Sequence, residues 1–194
     1  MPDRQFSTLA GERIVLRRFA MADLVTFVGY RSDPDIARYQ GWEAPYPRAA
    51  GERMIRELLR QHPDTPGQWF QFAMELRATG ELIGDCASGT DLEDARQAEI
   101  GFTLRPEFQG RGYATEGART LLGYLFGARA MHRVTARCDP RNAASVAVLE
   151  RLGMRREGHL VESTWSKGEW TDDLLFAVLD REWQLRAGGT APGW

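Results

Sequence analysis

Residues 99–116 read EIGFTLRPEFQGRGYATE and spell out a strand, a proline-marked exit, a tight glycine turn and the start of a helix. Gln109, Gly110, Arg111, Gly112, Tyr113 and Ala114 crowd the turn. A turn of this kind lets several backbone N–H groups converge at a helix N-terminus, where orphan donors and the helix dipole both favour an anion. Glycine suits it because a Cβ would block close approach or forbid a positive φ. The stretch is not a Walker loop, since no G-K-[ST] follows. Nor is it the dinucleotide fingerprint, since Thr115 stands where the third glycine of G-x-G-x-x-G belongs. A phosphate-bearing ligand held between a strand end and a helix is the expectation.

A second block, HRVTARCDPRNAASVAVLERLGMRREG at 132–158, reads as a strand and helix with Asn142, Ser145 and a closing L-G-M-x-x-E-G. Together the two blocks resemble the GNAT superfamily of acyltransferases. Gln109, Gly112 and Ala114 occupy the fixed positions of its motif A, Q/R-x-x-G-x-G/A. Ser145 in N-x-x-S and the late W-x-D-D-x-L-x-A-V-L are similar to the RimJ/RimL branch. The resemblance runs from about residue 12 to residue 183. It implies acetyl transfer from acetyl-CoA to a primary amine, with a protein or peptide N-terminal α-amine as the favoured acceptor. Alternatives are a small-molecule amine such as a polyamine or aminoglycoside, a different donor such as succinyl-CoA, and a non-catalytic acyl-CoA-binding module. It also implies a largely antiparallel mixed sheet with one splayed strand pair. Pantetheine would then lie on the backbone of Phe102, Thr103 and Leu104, and the pyrophosphate on the amides of Gln109, Gly110, Arg111, Gly112, Tyr113 and Ala114. Asn142 would contact the same ligand.

The 194 residues fit one domain, with a core over about 12–183 and a small, glycine-rich tail at 187–194 expected to be frayed. A formal net charge of −2 leaves no electrostatic footprint for nucleic acid. No apolar run approaches a membrane span, and the first residues lack a signal-peptide core. The two cysteines, Cys86 and Cys138, sit in strand-like contexts, so a reduced, cytoplasmic setting fits. They read as small buried apolar residues. His62, His132 and His159 lack metal-ligand spacing, so no metal site is expected. A homodimer is common in the relatives that the resemblance suggests.

Periodicity predicts a strand over 12–19, helices over 22–32 and 47–61, and a hairpin of 69–76 with 81–87. It then predicts the strand 98–104, an apolar helix stripe of Ala114, Ala118, Leu121, Leu122, Leu125 and Phe126, the strand 133–138 and the helix 143–152. A last hairpin pairs 160–165 with 173–179. Helices alternating with strands on both sides of a sheet give an α/β or α+β three-layer fold.

Acyl transfer to an amine needs a base to remove a proton, donors for the oxyanion and support for the departing thiolate. Glu99 is the first candidate base, because strand alternation puts it on one face with Gly101 and Thr103. Glu162 is the reserve. Some relatives carry a carboxylate at the position of Thr164, which alternation places on the face of Glu162. The tyrosine acid common in the superfamily is replaced by Leu149, which leaves Ser145 as the hydroxyl expected near the sulfur. Ser145 and Asn142 also suit a helix cap. Tyr39, Trp42, Glu43 and Trp165 are the acceptor-pocket candidates, since aromatic faces and carboxylates attract ammonium groups.

Overall fold

Alternation in the sequence becomes burial in the structure. Ile14 and Leu16, Phe70 and Phe72, and Val134 and Ala136 are buried on strands whose intervening residues are more exposed or face a second layer. The structure, a computed structural model, describes residues 8–187. Its strands are β1 (Thr8–Ala10), β2 (Ile14–Arg17), β3 (Trp69–Leu76), β4 (Leu82–Thr90), β5 (Gln97–Leu104), β6 (Arg133–Cys138), β7 (Arg155–Ser166) and β8 (Glu169–Leu179). Its helices are α1 (Leu24–Arg31), α2 (Pro34–Ala37), α3 (Arg48–Leu58), α4 (Tyr113–Gly127), α5 (Ala143–Arg151) and α6 (Asp180–Ala187).

The strands form one sheet in the order β1-β2-β3-β4-β5-β6-β8-β7. Every neighbouring pair is antiparallel except β5 and β6, which α4 joins as a β-α-β crossover. That one parallel pair is short. Gln97, Ala98 and Glu99 pair with Arg133, Val134 and Thr135, and from Ile100 onward the two strands part. The expected splayed pair is therefore present. β5 keeps its bonds to β4 through Leu104, so only its edge toward β6 is released.

Both faces are covered. Asp85 and Cys86 are successive residues of β4 and point to opposite sides. The Tyr30 hydroxyl of α1 donates to Asp85, while Gly117 of α4 lies against Met74 and Cys86. Burial pushes the Asp85 carboxyl up, and pushes the Tyr30 hydroxyl and the Cys86 thiol well above their ordinary values. Cys138 is only half-buried rather than buried, and its thiol is pushed up to about 11, chiefly by desolvation. Arg31, 3 % exposed, fastens the α1–α3 layer to the sheet. Its guanidinium lies 3.9 Å from the Trp42 ring centre and 4.4 Å from that of Phe27, and Nη2 donates to Gln71 at 2.9 Å. Its Nε is buried without a hydrogen-bond partner among the described residues.

The predicted elements are all present, with differences at their ends. The first strand is shorter than 12–19 and is preceded by β1. The last hairpin is longer at both strands, and α6 follows it. The first residues of β7, 155–159, escaped the pattern because they are almost all exposed, so hydrophobic alternation has nothing to record there. α6 shows a single buried anchor, Trp183, stacked on Phe126 at 5.8 Å. Residues 188–194 of the expected tail lie outside the described residues.

Candidate active site

β5 leads into a short 3-10 turn, Pro106–Phe108, and then into the glycine loop. Gln109 folds its side chain back, and Nε2 donates to the Leu104 carbonyl at 3.0 Å. Gly110 (φ 73°) and Gly112 (φ 82°) both take the left-handed conformation, which turns the chain into the N-terminus of α4. Among the described residues, the amides of residues 110–114 donate no hydrogen bond. A set of open donors at a helix start is what an anionic phosphate needs.

The loop is braced from outside. Glu116, in the first turn of α4, accepts from Arg13 N at 2.6 Å, Arg13 Nε at 2.7 Å and Ile14 N at 3.2 Å. Arg13 Nη1 in turn donates to the Arg111 carbonyl, and its guanidinium lies 4.6 Å from the Tyr113 ring centre. Sequence reasoning missed this pair, because 103 residues separate its members.

The loop is one end of a cleft of about 1070 Å³ that follows the parted edge of β5. Phe102, Thr103, Leu104, residues 109–114, Asn142, Ser145 and Tyr39 all line it. Arg111, Arg119 and Arg151 stand on the same walls, together with the paired Arg13 and Glu116 and with Glu12, Asp33 and Asp35. Asn142 is the N-cap of α5, with Oδ1 accepting from the Ser145 amide at 3.1 Å. The cap is thus supplied by Asn142, and the Ser145 hydroxyl is not used for it.

Glu99 stands apart from that cleft, where β5 and β6 are still paired. It lines a second pocket of about 370 Å³ with Trp69, Gly89, Thr135 and Arg137. Burial raises its carboxyl above the usual range; Arg137 pulls the other way and Asp173 adds to the rise. Arg137 Nε is 3.8 Å from Glu99 Oε2. Gly101 lies between the two cavities on the face of Glu99, and a Cβ there would meet nothing within 4 Å.

The reserve base lies elsewhere. Glu162 is exposed, with a left-handed backbone (φ 46°) inside an irregularity between Leu160 and Thr164, and lines neither cavity. Simple alternation from Thr164 does not carry through such a bulge. The charges the tertiary structure brings toward Glu99 are Arg137 and Asp173, which the sequence reading did not single out. Their only sequence signal is strand parity: Thr135 pairs with Glu99, so Arg137 shares its face.

Of the acceptor candidates, Tyr39 lines the main cleft, and the other three line neither of these two cavities. Trp42 is half-buried, with Nε1 donating to the Arg31 carbonyl at 3.0 Å and its ring over the Arg31 guanidinium. Glu43 is exposed and Trp165, 60 % exposed, packs edge-on against Trp170. Among the described residues there is no group of three metal-ligating side chains, and no helix is long and apolar enough to cross a membrane.

A family model for the Acetyltransferase (GNAT) domain matches residues 13–155. The chain is 29% identical over 176 residues to an uncharacterized N-acetyltransferase, p20, of Bacillus licheniformis, covering 91% of this chain and 98% of that one. It is 29% identical over 144 residues to the [ribosomal protein uS5]-alanine N-acetyltransferase of Escherichia coli, covering 74% of this chain and 69% of that one. Among solved structures, an acetyltransferase (GNAT family) from Bacillus anthracis superposes with a TM-score of 0.81 at 27% identity, covering 90% of this chain and 99% of that one.

Proposed function

The chain belongs to the GNAT acetyltransferase family and is an N-acetyltransferase of the RimJ/RimL-like kind, and from that premise we propose that it acetylates the N-terminal α-amine of a protein or peptide. Family members take acetyl-CoA as co-substrate. One observation carries the reading for this chain: β5 joins a nest of open amides at one end to a desolvated carboxylate, Glu99, at the other, with the split from β6 between them.

The pyrophosphate of acetyl-CoA binds the amides of residues 110–114, and the surrounding arginines neutralise its charge. Pantetheine lies along the free edge of β5 at Phe102–Leu104 as an added strand would. The thioester then sits at the split. Glu99 takes a proton from the acceptor ammonium, directly or through one water. The nitrogen lone pair attacks the thioester carbonyl and the C–N bond forms; as the tetrahedral intermediate collapses, the C–S bond breaks and the nitrogen loses its second proton to solvent. Ser145 donates a hydrogen bond to the departing sulfur, which is finally protonated from solvent. The α-amine preference is supported by the E. coli relative, whose name assigns it an alanine of a ribosomal protein.

The test is thiol release from acetyl-CoA with peptides bearing free or pre-acetylated N-termini, with polyamines in parallel. CoA release with free peptides only, and an acetyl group located on the terminal nitrogen by mass spectrometry, is the expected result. Release with polyamines alone, or with no acceptor, overturns it.

A further inference from the structure

The smaller pocket is built for more than a base. Its floor is Trp69, 48 % exposed, whose indole lies on Gly89; a Cβ at that glycine would come within 2.7 Å of the ring. On one side stands Glu99 and beside it, on β6, Arg137. Their 3.8 Å separation is too long for an N–H···O hydrogen bond. Among the described residues neither side chain forms any hydrogen bond. The pocket therefore presents an acceptor-only carboxylate and a donor-only guanidinium side by side, each with its bonding capacity open. Asp91, which also lines the pocket, is already engaged, its Oδ1 accepting from the amides of Glu93 and Asp94 at 2.8 Å.

Building on the transferase reading above, we propose that this pocket recognises an α-amino carbonyl unit, with Arg137 as the residue that selects it. The amine goes to Glu99, the carbonyl or carboxylate oxygen of the same residue goes to the Arg137 guanidinium, and the first side chain rests on Trp69. An amine with a donor and an acceptor three bonds apart bridges the ion pair without leaving either partner unpaired. A plain alkylamine or polyamine satisfies Glu99 alone, and a second ammonium group would face the Arg137 cation. A site with an unused donor rejects ligands that lack the matching acceptor. A free amino acid and a peptide N-terminus share this chemistry.

The experiment is calorimetric titration of the CoA-loaded protein with alanine, alanyl-alanine amide and n-propylamine, in wild type and in Arg137→Met. The wild type should bind alanine or the dipeptide amide about tenfold or more tighter than n-propylamine. In Arg137→Met that preference should shrink to about twofold, with CoA affinity unchanged, and Arg137→Lys should fall between. Tighter binding of alanine identifies a free amino acid; tighter binding of the dipeptide amide identifies a peptide N-terminus. Arg137 is more than half exposed, so the variants should fold. Equal binding of n-propylamine by the wild type, or an unchanged preference in Arg137→Met, overturns the assignment. So does a preference for succinyl-CoA over acetyl-CoA that Arg137→Met abolishes, since Arg137 would then read the donor. Selective binding without any acetyl transfer would instead sink the transferase reading and leave this assignment standing.

Discussion

At the scale of single residues, Glu99 and Gly101 carry the sharpest expectations. As the proposed base, Glu99 would act only when deprotonated, and burial raises its pKa. Activity should therefore fall as pH drops through that raised value, starting above the ordinary carboxylate range of about 4. Glu99→Gln should lower kcat by about 10²-fold, remove this acid limb, and leave CoA affinity nearly unchanged. A wild-type pH profile in the variant would move the base elsewhere. Gly101 makes a complementary prediction. Space for a side chain is open there, so Gly101→Leu should fold with a melting temperature within a few degrees of wild type. The same side chain would fill the path between the split and Glu99, so kcat/KM for the acceptor should drop about tenfold or more. Steady-state kinetics that matched wild type would place the acceptor path on another side.

At the scale of elements, the glycine loop at the start of α4 owes its shape to two left-handed glycines and an external brace. A branched residue at Gly112 must either abandon φ 82° or bear strain of about 1–3 kcal/mol. Gly112→Val should therefore weaken CoA binding about tenfold or more by calorimetry, in a protein whose circular dichroism stays native. Glu116 satisfies three donors of the 13–14 segment. Glu116→Ala strands those donors, and urea denaturation should show a loss of about 2 kcal/mol, with weaker CoA affinity as the loop loosens. The glycines were legible in the sequence because each is needed locally. The brace was not, because it joins β2 to α4 across the sheet and no local pattern records it.

At the scale of the molecule, one sheet carries two layers, and Arg31 locks one of them. The cage of Phe27, Trp42 and Tyr46 takes up the length of its side chain, while Nε goes without a partner. The Arg31 charge also acts on the buried Asp85 carboxyl, holding that pKa down against burial, and the contribution of packing is expected to outweigh it. Arg31→Ala should cost about 3 kcal/mol through the cavity left behind, and Arg31→Met only about 1 kcal/mol. Equal losses in chemical denaturation would show that the buried charge matters more than the volume. The same cage accounts for Trp42, an aromatic residue with acceptor-pocket chemistry that instead closes the core around Arg31.

The amino-acid sequence by itself determined the family, the sequence of elements from the first strand to the last hairpin, the glycine turn at the start of α4 and much of the lining of the main cleft. These depend on hydrophobic period, turn chemistry and short motifs, all of which act within a few residues. Only the tertiary structure decided what surrounds Glu99. Arg137 reaches it through a three-residue parallel pairing, and Asp173 through the next strand. Glu162, two residues before Thr164, is carried away by an irregularity that alternation cannot foresee. The reason is physical: a pocket is made where strands from distant parts of the chain come into register, and register is set by packing across the whole sheet.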